Sequence, residues 1–289
     1  MRDDDKSPER SAEEEAVELE EKAEEKSVEE AAKLSSKLVY EVIRRDGEEE
    51  LARPWRSLVW SGIGAGILIS FSVLAEAILR TYLPEAPSSY LIENIGYTFG
   101  FLLVILGRMQ LFTENTITTV LPAMVDFTPR MLLRIARLWG IVLGANVVGA
   151  FAIAAVYAFT PAIPPEIIPA FTELSYHATG MPPLQGFARG IPAGILVAAI
   201  VWMLPQTDNA FFTIFAFTWL IAAGDFTHIV AGSVEMAFLI WIGELGAIGA
   251  IFGFFIPVLL GNVVGGTAIF AMLAWGQVKD EIRIRVSRV

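Results

Sequence analysis

The chain has 289 residues, with 32 acidic and 21 basic side chains, two histidines, no cysteine and a mean hydropathy of +0.55. This composition excludes an ordinary soluble domain and a disulfide scaffold. The charge is also segregated. Residues 1–50 carry 19 acids and 9 bases, and the remaining 239 residues carry 13 acids and 12 bases. The near-neutral apolar body excludes a basic nucleic-acid binder and indicates a polytopic protein whose partner is the lipid bilayer.

The amino-terminal segment is an acidic tail. Residues 1–34 contain almost no large apolar side chain, which predicts disorder or a solvated helix. Leu34, Leu38 and Val42 repeat at helical spacing and predict a short amphipathic helix over 31–43. The first apolar run begins near Leu58, too late for a signal peptide, so we expect the first membrane helix to be an uncleaved insertion signal. We therefore divide the chain into a cytoplasmic tail (1–50) and a transport domain (51–289).

The body is predicted to cross the membrane six times. A span needs about 20 largely apolar residues, and the qualifying segments are 58–83, 94–120, 132–159, 186–205, 210–241 and 247–277. Arginines and lysines collect before the first span, between the second and third, and after the sixth. This bias predicts that both termini are cytoplasmic in a plasma (bacterial inner) membrane.

The spans contain an internal repeat. Spans three and six share the cores Ala145–Ala150 and Gly261–Gly266, each with an asparagine (Asn146, Asn262) at the same place. Spans two and five each have a polar break in an apolar run, with Thr113 and His228 separated by 115 residues. Two three-span units must insert with opposite topology. The pattern therefore predicts an all-α fold of two inverted repeats with broken helices two and five, as in channels and secondary transporters.

Ionisable residues inside the spans are candidates for the pathway. Glu76 and Arg80, four residues apart, are expected to pair on one helix face. Arg108 and Glu114 either neutralise each other, which would hold the break shut, or act in the pathway. Asp225 and Glu235 are further candidates for the pathway. His228 is the sharpest candidate, because it lies inside the break of span five and titrates near working pH.

Metal and nucleotide chemistry are not indicated. The chain has no cysteine, no histidine pair and no phosphate-binding glycine loop after a strand. Its glycines lie within apolar helices and are typical of helix packing. We expect no cofactor and no enzymatic activity.

The membrane body resembles the formate–nitrite transporter family, and most of all its poorly characterised inner-membrane branch. The resemblance covers residues 55–278 and is carried by Leu111-Phe112-Thr113, by His228 and by the two Asn-Val-Val-Gly cores. It implies an aquaporin-like six-helix protomer with its own pore, assembled as a homopentamer. It also implies passage of a small monovalent anion such as formate, nitrite or hydrosulfide, often with a proton.

The resemblance also assigns roles. It implies a central polar His228, Thr113 in the loop of span two, and Asn262 tying that loop in place. The implied apolar constriction consists of Leu111, Tyr97, Phe101, Val197 and Leu220. The chain departs from the family pattern at Thr227, where members have glutamate, at Gly194, where many have asparagine, and at Arg108 and Gln110.

Two alternatives stay open. The same architecture could pass a neutral solute such as water or a small polyol. It could also be a non-transporting anchor or sensor whose acidic tail binds a partner, with its pore closed by Arg108 paired to Glu114.

Overall fold

The structure, a computed structural model, describes residues 34–286, with side chains as far as residue 281. Residues 1–33, which hold most of the predicted acidic tail, lie outside the described residues. Within the described range, all regular secondary structure is helical, and loops join the helices. The α-helices in chain order are α1 (Ser36–Ala52), α2 (Trp55–Leu68), α3 (Ser70–Tyr82), α4 (Ser89–Glu93), α5 (Thr98–Leu106), α6 (Phe112–Thr118), α7 (Leu121–Val125), α8 (Pro129–Phe159), α9 (Ile168–Thr179), α10 (Pro183–Met203), α11 (Ala210–Ala223), α12 (Ile229–Trp241), α13 (Ile256–Val263) and α14 (Met272–Val286).

Several helices are long and apolar enough to cross a bilayer. Five stretches in the described range meet this criterion: Trp55–Tyr82, Ser89–Leu106, Pro129–Phe159, Pro183–Gln206 and Gly249–Glu281. The last includes two π-helical stretches, Gly249–Phe255 and Val264–Ala271. The predicted fifth segment, 210–241, consists instead of two shorter apolar helices, α11 and α12. The chain is therefore an all-helical, multi-pass membrane protein.

Helix pairs pack closely at small residues. α2 packs against α8, and α10 packs against α13. A side chain at Gly149 of α8 would collide with the backbone of Ile63, and one at Gly265 would collide with the backbone of Ile191. Because these backbones touch, the packing role predicted for the glycines is confirmed at Gly149 and Gly265, whereas it is wrong within this chain for Gly140 and Gly144, which have no atom within 4 Å of an added methyl.

The amphipathic helix lies further along the chain than predicted and buries a different face. α1 buries Val39, Tyr40 and Ile43, and the Tyr40 hydroxyl donates a 3.0 Å hydrogen bond to the Leu121 carbonyl. Leu38, on the predicted apolar face, is 47% exposed, so that prediction is wrong. Successive residues of an α-helix point about 100° apart, so the faces that carry Leu38 and Val39 differ by that angle. The surface against which α1 packs decides which of these faces is buried.

α1 also moves the predicted domain boundary. The boundary at residue 50 falls inside α1, and Lys37 Nζ donates a 3.1 Å hydrogen bond to the Glu281 carbonyl of α14. On the outer face of α1, hydrogen bonds chiefly from Arg44 lower the pKa of Glu41 to about 2. Residues from Ser36 onward therefore belong with the membrane body.

The predicted pairing of Glu76 with Arg80 is wrong. The Arg80 guanidinium binds Glu93 at 2.6 Å and Glu173 at 3.3 Å. No hydrogen bond or ion pair of the described residues joins it to Glu76. Helical spacing brings two side chains within reach, but here carboxylates from α4 and α9 take up the guanidinium.

Two glycines of α8 provide a matched test of the packing. Gly149→Ala should destabilise the protein by about 1–3 kcal/mol, because the added methyl meets rigid backbone. Gly144 has no atom within 4 Å of an added methyl, so Gly144→Ala should be neutral or stabilising by up to about 1 kcal/mol. Thermal unfolding of both variants in detergent measures the difference. Equal melting temperatures would contradict the close approach of α2 and α8.

Candidate functional site

Two helix breaks form the centre of the molecule. α5 ends at Leu106 and α6 begins at Phe112, while α11 ends at Ala223 and α12 begins at Ile229. Inside the breaks, Arg108 and Asp225 have left-handed φ angles of 51° and 53°. This conformation costs a non-glycine residue about 1 kcal/mol or more. The two breaks therefore share the same backbone feature, a left-handed residue just after the first helix ends.

The first break is held by the side-chain amide of Asn146. Its Oδ1 accepts a 2.9 Å hydrogen bond from Phe112 N, and its Nδ2 donates to Gln110 O at 2.8 Å and to Gly62 O at 2.9 Å. One amide thus satisfies both sides of the break and ties it to α2.

The second break is held in the same way by Asn262. Its Oδ1 accepts from Ile229 N at 2.8 Å, and its Nδ2 donates to Thr227 O and Gly190 O, both at 2.9 Å. The sequence interpretation that Asn262 ties the loop of span two is wrong, since Asn146 ties that loop and Asn262 ties the other. Both asparagines are fully buried with their amides occupied.

His228 lies at the start of α12 and bridges the two breaks. Its Nδ1 accepts a 3.3 Å hydrogen bond from Ala231 N and so caps the helix. Its Nε2 lies 2.8 Å from Thr113 Oγ1, in the first turn of α6. The Phe101 ring meets the imidazole edge-on, with ring centroids 4.9 Å apart. The structure therefore brings Thr113 and His228 together. In the first break, the N-cap residue of α6 is Leu111, so Leu111 occupies the position that His228 occupies at the N-cap of α12.

Most of the apolar constriction residues gather around this pair. Leu111, Phe101 and Val197 are fully buried, and Tyr97 is 9% exposed, all within one apolar cluster. Leu220 is separate from them. It is 41% exposed on α11 and lies outside that cluster. The structure thus does not bring Leu220 to the constriction.

Each of the two breaks contributes residues to the lining of a cavity. The cavity here called loop-side has a volume of about 70 Å³, and its lining includes His228, Tyr97, Glu76, Glu235 and Asn94. The cavity here called α1-side has a volume of about 540 Å³ and is lined by three carboxylates of α1 together with Arg108, Gln110 and Glu114. His228 lines the first of these cavities, whereas neither His228 nor Thr113 is among the lining residues of the second.

The three residues proposed for pore electrostatics are in different environments. Arg108 is exposed towards the α1-side cavity and, among the described ion pairs, forms none with Glu114. Glu114 Oε1 is buried without a hydrogen-bond partner. The structure therefore does not show the closed pore that depended on an Arg108–Glu114 pair.

The Asp225 carboxylate has a partner on each oxygen. It forms an ion pair with Arg189 and accepts a 2.8 Å hydrogen bond from His177 Nε2. Partial burial lowers the pKa of His177, so the ring is neutral at pH 7 and donates as N–H. Sequence analysis assigned neither Arg189 nor His177 to the site. No sequence spacing links either of them to Asp225.

The two asparagines should be essential to the fold rather than to conduction. Asn146→Ala or Asn262→Ala leaves a backbone N–H and a carbonyl of the break without these partners, at about 1–3 kcal/mol each. We expect loss of the folded protein or a strongly lowered melting temperature in size-exclusion and thermal-unfolding measurements. Asn209→Ala, at the exposed cap of α11, is the control and should cost only about 1 kcal/mol. Wild-type stability of either buried variant would contradict the role.

Comparison with known proteins shows which family the chain resembles. A sequence model described as "Formate/nitrite transporter" matches residues 37–276. The chain is 42% identical to inner membrane protein YfdC of Escherichia coli K12 over 245 residues, which is 84% of this chain and 79% of that protein. It is 29% identical to formate channel FocA of Haemophilus influenzae over 242 residues, covering 74% of this chain and 84% of that protein.

Solved structures agree in fold. A pentameric formate channel with formate bound superposes with a TM-score of 0.65 at 20% identity, covering 76% of this chain and 96% of that one. An FNT family ion channel superposes with a TM-score of 0.70 at 18% identity, covering 83% and 98%. With 240 of its residues matched by the family model, this multi-pass chain belongs to the formate/nitrite transporter family of membrane channels and transporters.

Proposed function

We propose that the chain conducts a small monovalent anion of the formate, nitrite or hydrosulfide type through a pore within each protomer. The observation that carries this proposal is the Thr113–His228 pair, which joins the two helix breaks at 2.8 Å, with a cavity lined by residues of each break. Family membership and the anion channels among the relatives support the substrate class.

The proposed pathway runs through two inverted three-span repeats. In this arrangement α11 and α12 together act as the broken fifth span, and α5 and α6 as the broken second span. The duplicated Asn146 and Asn262 geometry supports the repeat. Both termini and the α1-side cavity would be cytoplasmic, in a bacterial inner membrane as for YfdC. Assembly as a homopentamer is supported by the pentameric channel with the same fold.

His228 would act as a neutral hydrogen-bond donor. Because Nδ1 accepts the Ala231 amide hydrogen, the proton of the neutral ring is on Nε2, which then donates to Thr113 Oγ1. This leaves the Thr113 hydroxyl hydrogen free to bind an anion. Protonating Nδ1 would break the helix cap, so a charged imidazolium is disfavoured in this geometry.

The apolar constriction explains why a proton should accompany the anion. Leu111, Phe101 and Val197 are fully buried and offer no hydrogen bonds. A bare ion loses its hydration there at a cost of several kcal/mol, whereas the neutral weak acid does not. Passage as the neutral acid, or as an anion with its proton, is thus the favoured mode.

Proteoliposomes test the function directly. Purified protein is reconstituted with an internal pH dye, and formate, nitrite, hydrosulfide and acetate are each added against protein-free vesicles. We expect a rapid, protein-dependent signal for at least one anion. The absence of any signal with folded protein would overturn the proposal and favour the non-transporting alternative. A pH-independent permeation of water or small polyols alone would favour the neutral-solute pore.

His228→Asn separates the two roles of the histidine. Asparagine also caps helices, so the variant should fold, but its shorter side chain does not reach Thr113 as the imidazole does. We expect anion flux to fall by about tenfold, which corresponds to one hydrogen bond of about 1.4 kcal/mol. Flux equal to wild type at every pH, with the same melting temperature, would remove His228 from the pathway.

A further inference from the structure

We propose that Glu76 and Glu235 form a proton-binding site in the loop-side cavity that protonates the anion before it reaches His228. The inference rests on the proposed transport function and names the proton donor that this function requires. His228 does not fill that role, because its Nδ1 is committed to capping α12.

The two carboxyl groups are buried, unpaired and face one space. Glu76 lies on α3 and Glu235 on α12, two helices in contact, and both line the loop-side cavity. Glu76 is 9% exposed and Glu235 is 8% exposed. No hydrogen bond or ion pair found in the described part of the chain includes either group. Two enclosed acids therefore lack any built-in counter-charge.

The charged groups around them are already neutralised. Arg80, one turn from Glu76, is bound by Glu93 and Glu173. Asp225, on the cavity wall, binds Arg189 and also accepts from the neutral His177. The other polar residues that line the cavity are neutral as well: Asn94, Tyr97 just before α5, Thr227, and His228 at the cap of α12.

Physical chemistry then requires a proton on the pair. Two adjacent carboxylates with little water and no cation repel each other, and the system relieves this by keeping one acid neutral. A metal ion is a poor alternative, because no group of three or more acidic or histidine side chains in the described residues could hold one. The cavity therefore carries a transferable proton where an anion would enter.

The proton step balances without a further reactant. The O–H bond of the protonated glutamate breaks, its electron pair stays on the carboxylate, and the proton forms a new O–H or S–H bond on the arriving anion. The neutral acid then crosses the apolar constriction past Phe101 and Leu111. The carboxylate takes up a new proton from the loop-side solution.

The test uses Glu76→Gln, Glu235→Gln and the double variant, with formate as the probe in the full-length protein. Glutamine is isosteric with the neutral acid but has no transferable proton. We expect wild-type formate flux to be greater at about pH 6 than at about pH 8. The double variant should lose this dependence and most of its flux at the lower pH. Glu166→Gln, at an exposed position outside this cavity, should keep the wild-type profile.

A readout independent of transport accompanies the flux. Infrared spectroscopy of the wild type at neutral pH should show protonated-carboxyl absorption that is weaker in the double variant, where only other buried acids such as Glu114 contribute. If the double variant does not fold, each single variant should weaken the absorption. Absorption equal to that of the wild type, or a wild-type pH profile in the double variant, would overturn the proposal. Flux that depends on sodium or ammonium at constant pH, and loses this in the double variant, would also overturn it in favour of a cation site. Failure of the proposed function is distinct, since the wild type would then show no anion flux at any pH.

Discussion

Backbone amides inside a membrane must find hydrogen-bond partners in the protein, and every feature of this site depends on how that requirement is met. Each broken helix frees an amide N–H on one side of the break and carbonyl oxygens on the other. A carboxamide is one of the few side chains that accepts and donates at once. Asn146 and Asn262 use this property identically, accepting from Phe112 and Ile229 and donating to carbonyls on both the break and a neighbouring helix. The breaks are therefore rigid elements of the fold rather than gaps in it.

The fixed break determines the chemical state of His228. Holding Ile229 in place positions the first turn of α12, whose free N–H group at Ala231 then takes the imidazole Nδ1 as its acceptor. The ring is thereby oriented with Nε2 towards Thr113 of the other break. A backbone requirement on one side of the ring thus selects the tautomer presented on the other. The histidine is suited to donate a hydrogen bond and poorly suited to carry a proton across the constriction.

Sequence patterns predicted what depends on residue type and period, and failed where tertiary contacts decide. The apolar runs, the paired asparagines and the positions of Thr113 and His228 in the two polar breaks follow from hydropathy and repetition, which can be read from the sequence. The buried face of α1, the partners of Arg80 and the exposed position of Leu220 depend on which surface lies opposite, and spacing alone does not contain this information. The same limit led the role of Asn262 to be assigned to the wrong break, since either asparagine could reach either break until the helix packing was known.

The departures from the family pattern form one consistent set. A side chain at Gly194 would collide with the Asn262 backbone, so α10 cannot carry the asparagine found there in many members. Thr227, in place of glutamate, donates to the Gly186 carbonyl at 2.8 Å and leaves no acid beside His228. The carboxyl groups that face the histidine come instead from Glu76 and Glu235, across the cavity on α3 and α12. An acid adjacent to the ring in sequence would favour an imidazolium, whereas acids across a cavity leave the ring neutral and place the proton where the anion arrives. Under the proposed function, the anion would therefore meet its proton in the loop-side cavity rather than at the histidine.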